Sequence, residues 1–200
     1  MRRCLREPIP EIAQAARYLD EAVAAHLLGS TRRADKLIRR ADMPIIREWT
    51  ETLWGPGGPH ARPVRIVPRA IAPEKVIPIR MPNASEKRLL LQRDGYHCRF
   101  CGIPVIRAEV RARIKKSYPE ALPWGRTNQS QHAGFQAMWV QYDHVVPHAH
   151  GGTNDLHNLV ITCAPCNYGR TDRTLEEVDL VDPREHPPVI SSWNGLERFR

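Results

Sequence analysis

The sequence predicts an α+β chain, and three observations carry that prediction. Apolar residues recur at spacings of three and four near the N-terminus, which is the period of an amphipathic helix. The stretch FQAMWVQYDHVVP alternates in the manner of a strand. Four of the five cysteines form two CxxC pairs, Cys98 with Cys101 and Cys163 with Cys166, a spacing suited to one tetrahedral metal.

At 200 residues and 42% hydrophobic, the chain can bury one ordinary core and a small second one. No run approaches the roughly 18 apolar residues of a membrane span. The opening MRRCLREPIPEIAQ is basic but lacks the apolar region of a secretory signal. The expected location is therefore intracellular and cytoplasmic, without a membrane partner. Arg outnumbers Lys by 25 to 5, which fits a GC-rich bacterial or phage source. Cys4, outside both pairs, reads as a free thiol near a mobile terminus.

Residues 1–54 read as a helical N-terminal segment. Ile12, Ala15, Ala16, Leu19, Val23 and Leu27 line one helix face, and Gly29 follows as a stop. Ser30 or Thr31 is placed to cap a second helix through RRADKLIRRAD, ended by Met43-Pro44, and Ile45 to Trp54 suggest a short third. His26 sits among apolar helical neighbours and reads as a packed histidine. Residues 55–83 hold seven prolines, a density that forbids a continuous helix, and form a basic linker with short edge strands at VRIV and KVIPI. Its Arg62, Arg65, Arg69, Lys75 and Arg80 can track a phosphate backbone or simply solvate a tether.

Residues 84–200 form the second unit. Ser85 is placed to cap the helix SEKRLLLQRD, with Glu86 in its first turn. The first cysteine knuckle follows, then a basic helix in PVIRAEVRARIKKSYPEAL, a loop rich in Gly, Asn, Gln and Ser, the strand, and the second knuckle. The tail after Thr174 reads as a strap over the core.

Charge is distributed unevenly around the formal net of +8. Residues 55–126 carry 15 Lys or Arg against 5 Asp or Glu, and residues 127–200 carry 5 against 9. A polyanion suits the basic middle, because each phosphate contact releases condensed counterions.

The two CxxC pairs, 61 residues apart, supply a closed four-sulfur site, which makes the expected Zn2+ structural and not catalytic. His97 is an available but unneeded fifth ligand. Between the pairs runs DHVVPHAHGGTNDLHNLVITCAPCN, residues 143–167, with four histidines and a glycine pair. With its aspartate-histidine pair, proline, glycine pair, asparagine-leucine pair and terminal cysteine knuckle ending in asparagine, this stretch resembles the HNH endonucleases. The resemblance covers roughly residues 85–175. It implies a ββα-metal nuclease core of the zinc-knuckle subgroup, with asparagine at the third motif position (an HNN variant), and an insertion at about 104–140 whose fold it does not describe.

The resemblance implies a phosphodiester hydrolase that cuts DNA. His144 is the expected general base, since a neutral imidazole with a pKa near ~6.5 can take a proton from water. Asp143, on the opposite strand face, and Asn167 are expected to hold one divalent ion, and their oxygen character favours Mg2+ or Mn2+. Asn158 is expected to hydrogen-bond across the loop that carries His144. His148 and His150 can approach a phosphate or a metal-bound water, and His157 faces solvent. Arg170, Arg93, Arg99, Arg111, Arg113, Lys115 and Lys116 are the expected backbone contacts to DNA. Restriction or anti-phage defence is the preferred setting, with a phage or mobile-element nuclease as alternative. A zinc ribbon that binds nucleic acid without cutting, and a subunit recruited to a protein partner through the N-terminal helices, are the competing readings.

Overall fold

The computed structural model describes residues 1–55 and 81–200. Most of the expected linker, with its five cations and two short strands, lies outside the described residues. Seven α-helices and a two-stranded antiparallel sheet make up the described regular structure, joined by short 3-10 turns. No helix among the described residues is long and apolar enough to cross a membrane.

Helices α1 (Pro10–Leu27), α2 (Thr31–Arg40) and α3 (Pro44–Trp54) open the chain. Pro44 starts α3 as well as ending α2, because its missing N–H costs nothing in the first helical turn. Helix α4 (Ala84–Asp94) is capped two residues earlier than the sequence suggests. The Asn83 side chain accepts from the backbone of Ser85 and Glu86, and Glu86 answers to the Asn83 N–H, so Asn83 and not Ser85 is the cap. Helix α5 (Ala108–Ser117) is the basic helix, and α6 (Ala133–Ala137) is a single short turn capped by the His132 ring.

That last helix corrects the expected strand. Phe135 to Ala137 are helical, and strand β1 begins only at Val140 (Val140–His144). It pairs with β2 (Leu159–Cys163) in a register that sets Val140 against Cys163 and His144 against Leu159. Helix α7 (Ala164–Arg170) follows at once, capped by Cys163 and opened by Pro165.

Two strands alone would leave two open edges. Here Asp94 accepts from the Ile161 N–H and Arg99 N–H donates to the Ile161 carbonyl on one side. On the other, Ile106 bonds to Met138 and Val140. Both edges are thereby closed by neighbouring chain.

The N-terminal helices do not stand apart. Ile12, Leu19, Ile38, Trp49 and Leu53 join Phe135, Val140, Ile161 and Phe199 in one continuous core, and α3 packs on α6 and α7. Their apolar faces pack within the chain. The tail lies over this core: Leu196 and Phe199 are buried, and Trp193 Nε1 donates to the Val105 carbonyl. Cys4 is buried as well, correcting its expected place on a mobile terminus, because Arg2 bridges to Leu180 and ties the first residues down. Burial, followed by the Glu7 carboxylate 3.4 Å away, pushes its thiol up to about 12.

Candidate active site

The hairpin and α7 bring the two halves of the motif together. Cys98 and Cys101 sit on a turn closed by Cys98 N–H to the Ile103 carbonyl, while Cys163 ends β2 and Cys166 lies in α7. The four sulfurs lie within 4.8 Å of one another, with Cys101 and Cys163 Sγ 3.6 Å apart. A tetrahedral zinc with bonds of ~2.3 Å would set its sulfurs ~3.8 Å apart, so the cluster fits that ion and is far too open for disulfides. Burial pushes the thiols of Cys101 and Cys163 up, so a set of thiolates there needs a cation. His97 turns its nitrogens elsewhere, toward the Tyr96 carbonyl and the Ser191 hydroxyl.

On β1, adjacent residues face opposite ways. Asp143 is 8% exposed and turns inward, and His144 is half-buried on the other face. The inward carboxylate meets Arg170, whose Nε and Nη2 both donate to Asp143 Oδ2 at 3.1 and 2.7 Å. Burial raises the Asp143 carboxyl, and the Arg170 guanidinium opposes that rise. Arg170 also donates to the carbonyls of Val145, Arg173 and His144, and it is 1% exposed. Its expected phosphate contact is therefore corrected: its donors are taken by the β1 end of the hairpin and by the Arg173 carbonyl, and it locks the strand end to α7.

Arg99 is corrected for the same reason, since it is buried among Asp94 and the carbonyls of Pro183 and His186. Arg93 binds Asp94 and the carbonyls of Leu156 and Leu159, Arg113 binds the Phe199 carbonyl, and Lys115 the Trp124 carbonyl. Arg111 lies over Trp124 and Trp139, at 3.6 and 4.8 Å from the ring centres. Lys116 is exposed at the end of α5.

Asn167 is three residues before Arg170 on α7, a spacing that puts the two on one side of the helix. Its side chain makes no hydrogen bond among the described residues. Asp143 Oδ1 is not contacted by Arg170. Asp143 and Asn167 offer a carboxylate and a carboxamide oxygen, the donor types that a hard cation such as Mg2+ or Mn2+ takes.

The loop between the strands is built around Asn158. Its Oδ1 accepts from Val146 N–H at 2.8 Å, and its Nδ2 donates to the carbonyls of Val146 and Thr153 at 3.0 and 2.9 Å. The glycine pair is required by the same packing. Gly151 adopts a left-handed conformation at φ 88°, and a side chain on Gly152 would put a carbon 1.7 Å from the Val146 carbonyl oxygen.

Within this loop His144 Nε2 lies 3.2 Å from Asn154 Oδ1 and 3.0 Å from His148 Nε2. The two imidazoles meet edge to face at 4.2 Å. Burial lowers the His144 pKa, and the Asn154 hydrogen bond partly restores it. Asn154 has no place in the sequence reading. Its only signal is its position ten residues after His144, and only the folded loop turns that separation into contact. His148 is buried against His144, His150 lies in the adjoining turn, and His157 is exposed.

Residues 133–173 match the family model described as HNH endonuclease, a segment running from α6 through the hairpin and α7. No curated protein and no solved structure gave a match. The chain thus holds, in residues 133–173, a segment that matches the HNH endonuclease family, set in an α+β fold in which Cys163 and Cys166 of that segment cluster with Cys98 and Cys101.

Proposed function

We propose that the chain is a metal-dependent DNA endonuclease in which His144 is the general base, Asp143 and Asn167 hold one Mg2+ or Mn2+, and the four cysteines hold a structural zinc. The observation that carries this reading is the placement of His144: a half-buried imidazole on the solvent-facing side of β1, backed by Asn154, with Asp143 on the reverse face. With its Nε2 proton given to Asn154 Oδ1, His144 presents Nδ1 as the bare nitrogen, and Nδ1 makes no hydrogen bond among the described residues. Burial keeps the ring neutral at cellular pH, the form that accepts a proton from water.

His148 closes the back of the base and limits its rotation. Arg170 holds Asp143, and Asn158 holds the loop. A bound divalent ion would polarise the scissile phosphate and stabilise the departing 3′ oxygen. The buried cysteine cluster joins the first knuckle to the start of α7 and so fixes Asn167 relative to β1. The basic middle of the chain supplies attraction to the phosphate backbone. Restriction or anti-phage defence is the setting we favour.

The test is cleavage of supercoiled plasmid with magnesium, then manganese, comparing the native chain with His144→Ala at equal zinc content. Nicking or linear product from the native chain alone supports the assignment. Equal cutting by both proteins removes His144 from the mechanism, and binding without cutting by both returns the reading to a zinc-containing binding module.

A further inference from the structure

A second polar groove lies beside α7, outside the hairpin site. It has a volume of about 320 Å3 and is lined by Trp54, Asn128, Gln131, Gln136, Trp139 and Tyr168. That volume falls at the lower end of ordinary small-ligand sites, roughly 300–1,000 Å3. Tyr168, 43% exposed, meets Trp54 at 5.7 Å and Trp139 at 6.3 Å between ring centres, so three aromatic rings, from α3, α7 and the residue before β1, form its wall.

The floor is a buried amide. Gln136 is 1% exposed, its Nε2 reaches the Asn128 carbonyl and Gln131 Oε1 at 3.4 and 3.3 Å, and its Oε1 makes no hydrogen bond among the described residues. Trp54 Nε1 is also buried without a partner there. Buried polar groups left in this state are rare in native proteins and call for a ligand with matching donors and acceptors. Behind Trp139 lies Arg111, whose guanidinium is stacked on the ring, and whose Nη1 is likewise unpartnered. A flat heterocycle with hydrogen-bonding edges satisfies the rings and the amide together.

We infer that this groove takes one unstacked nucleobase of the substrate strand. The inference rests on the nuclease reading for what that strand is, and deepens it by naming where a base is held. Trp139 precedes β1 and bonds through its carbonyl to Ala164 N–H, whereas His144 ends β1. Five residue steps at ~3.3 Å each separate them by about 16 Å, a span that one strand a few nucleotides long can bridge. Aromatic stacking supplies sequence-tolerant affinity, and the Gln136 amide, read along the base edge, supplies preference.

The experiment uses the full zinc-loaded chain without magnesium or manganese and a single-stranded oligonucleotide carrying one 2-aminopurine, moved position by position. The expected result is fluorescence quenching at one position, with binding about 5- to 100-fold weaker in Tyr168→Ala and retained in Tyr168→Phe. Gln136→Leu keeps the quenching and removes the difference between bases at that position. Quenching that is absent at every position, or unchanged in Tyr168→Ala, overturns the inference. Plasmid cleavage measured separately distinguishes the two readings. Cutting without quenching leaves the nuclease and removes the pocket, and quenching without cutting leaves the pocket and removes the nuclease.

Discussion

Replacing Arg170 separates a structural clamp from a DNA contact. In the fold its guanidinium is 1% exposed and donates twice to Asp143 Oδ2 and to three backbone carbonyls. Removing one partner of a buried ion pair strands the other charge, at a cost of about 3–5 kcal/mol. For a chain of this length each kcal/mol moves Tm by roughly 2–4 °C, so Arg170→Ala should melt about 6–20 °C lower at equal zinc content. Arg170→Lys should fall between, since one ammonium cannot reproduce the fork that spans Asp143 and the carbonyls. The measurement is denaturant unfolding of both variants and of Asp143→Asn, with the double variant closing a cycle that isolates the pair. A phosphate contact predicts the opposite pattern: stability within ~0.5 kcal/mol of the parent, and a salt dependence of DNA binding reduced by about one charge. That outcome would refute the burial argument.

Zinc removal should unfold the hairpin and α7 together, because the cluster joins the first knuckle to both; metal binding of this kind contributes on the order of 10 kcal/mol, and Cys163→Ser should lose both metal content and near-UV circular dichroism. Asn158→Ala loses three hydrogen bonds from a buried site, so about 3 kcal/mol of stability at ~1 kcal/mol each, with loss of cleavage before loss of zinc. Gly152→Ala should inactivate the chain without releasing zinc, since the added carbon meets backbone and not a movable side chain; retained cleavage would contradict the loop geometry. His132 is buried with Nε2 on the Ile38 carbonyl and Nδ1 accepting from Phe135 N–H, and burial lowers its pKa. The unfolded chain then binds the proton more readily, so stability is present above the unfolded value of ~6.5 and is lost as pH falls below it. Unfolding free energies at pH 7.5 and 5.5 should differ more in the native chain than in His132→Gln.

Local signals were sufficient for several elements. The helix α1 periodicity, the two CxxC spacings and the order of Asp143, His144, Asn158 and Asn167 are all readable along the chain, because each depends on residues within one or two turns or on a spacing imposed by metal geometry. The opposite faces of Asp143 and His144 follow from the period of a strand alone. Where a local competitor was stronger than the pattern, the reading failed. The alternation in FQAMWVQ resembles a strand, but the His132 cap turns Phe135 into a helix.

Charge and exposure were not readable in this way. An arginine in sequence is a cation available to DNA, and only tertiary contact turned Arg170 inward onto Asp143 and Arg99 onto Asp94. The same holds for the segment at 104–140, where His132 reaches Ile38, Arg111 stacks on Trp124 and Trp139, and Tyr118 bonds to His26. The sequence by itself determined the paired cysteines that cluster and the residue types of the hairpin, since covalent spacing and backbone period constrain both. The tertiary structure alone decided which cations are spent as clamps, that the N-terminal helices share one core with the hairpin and α7, and that Trp54, Gln136 and Tyr168 meet in one groove. Most of those outcomes depend on contacts between residues 27 to more than 100 positions apart, which only the packing of the whole chain brings within reach.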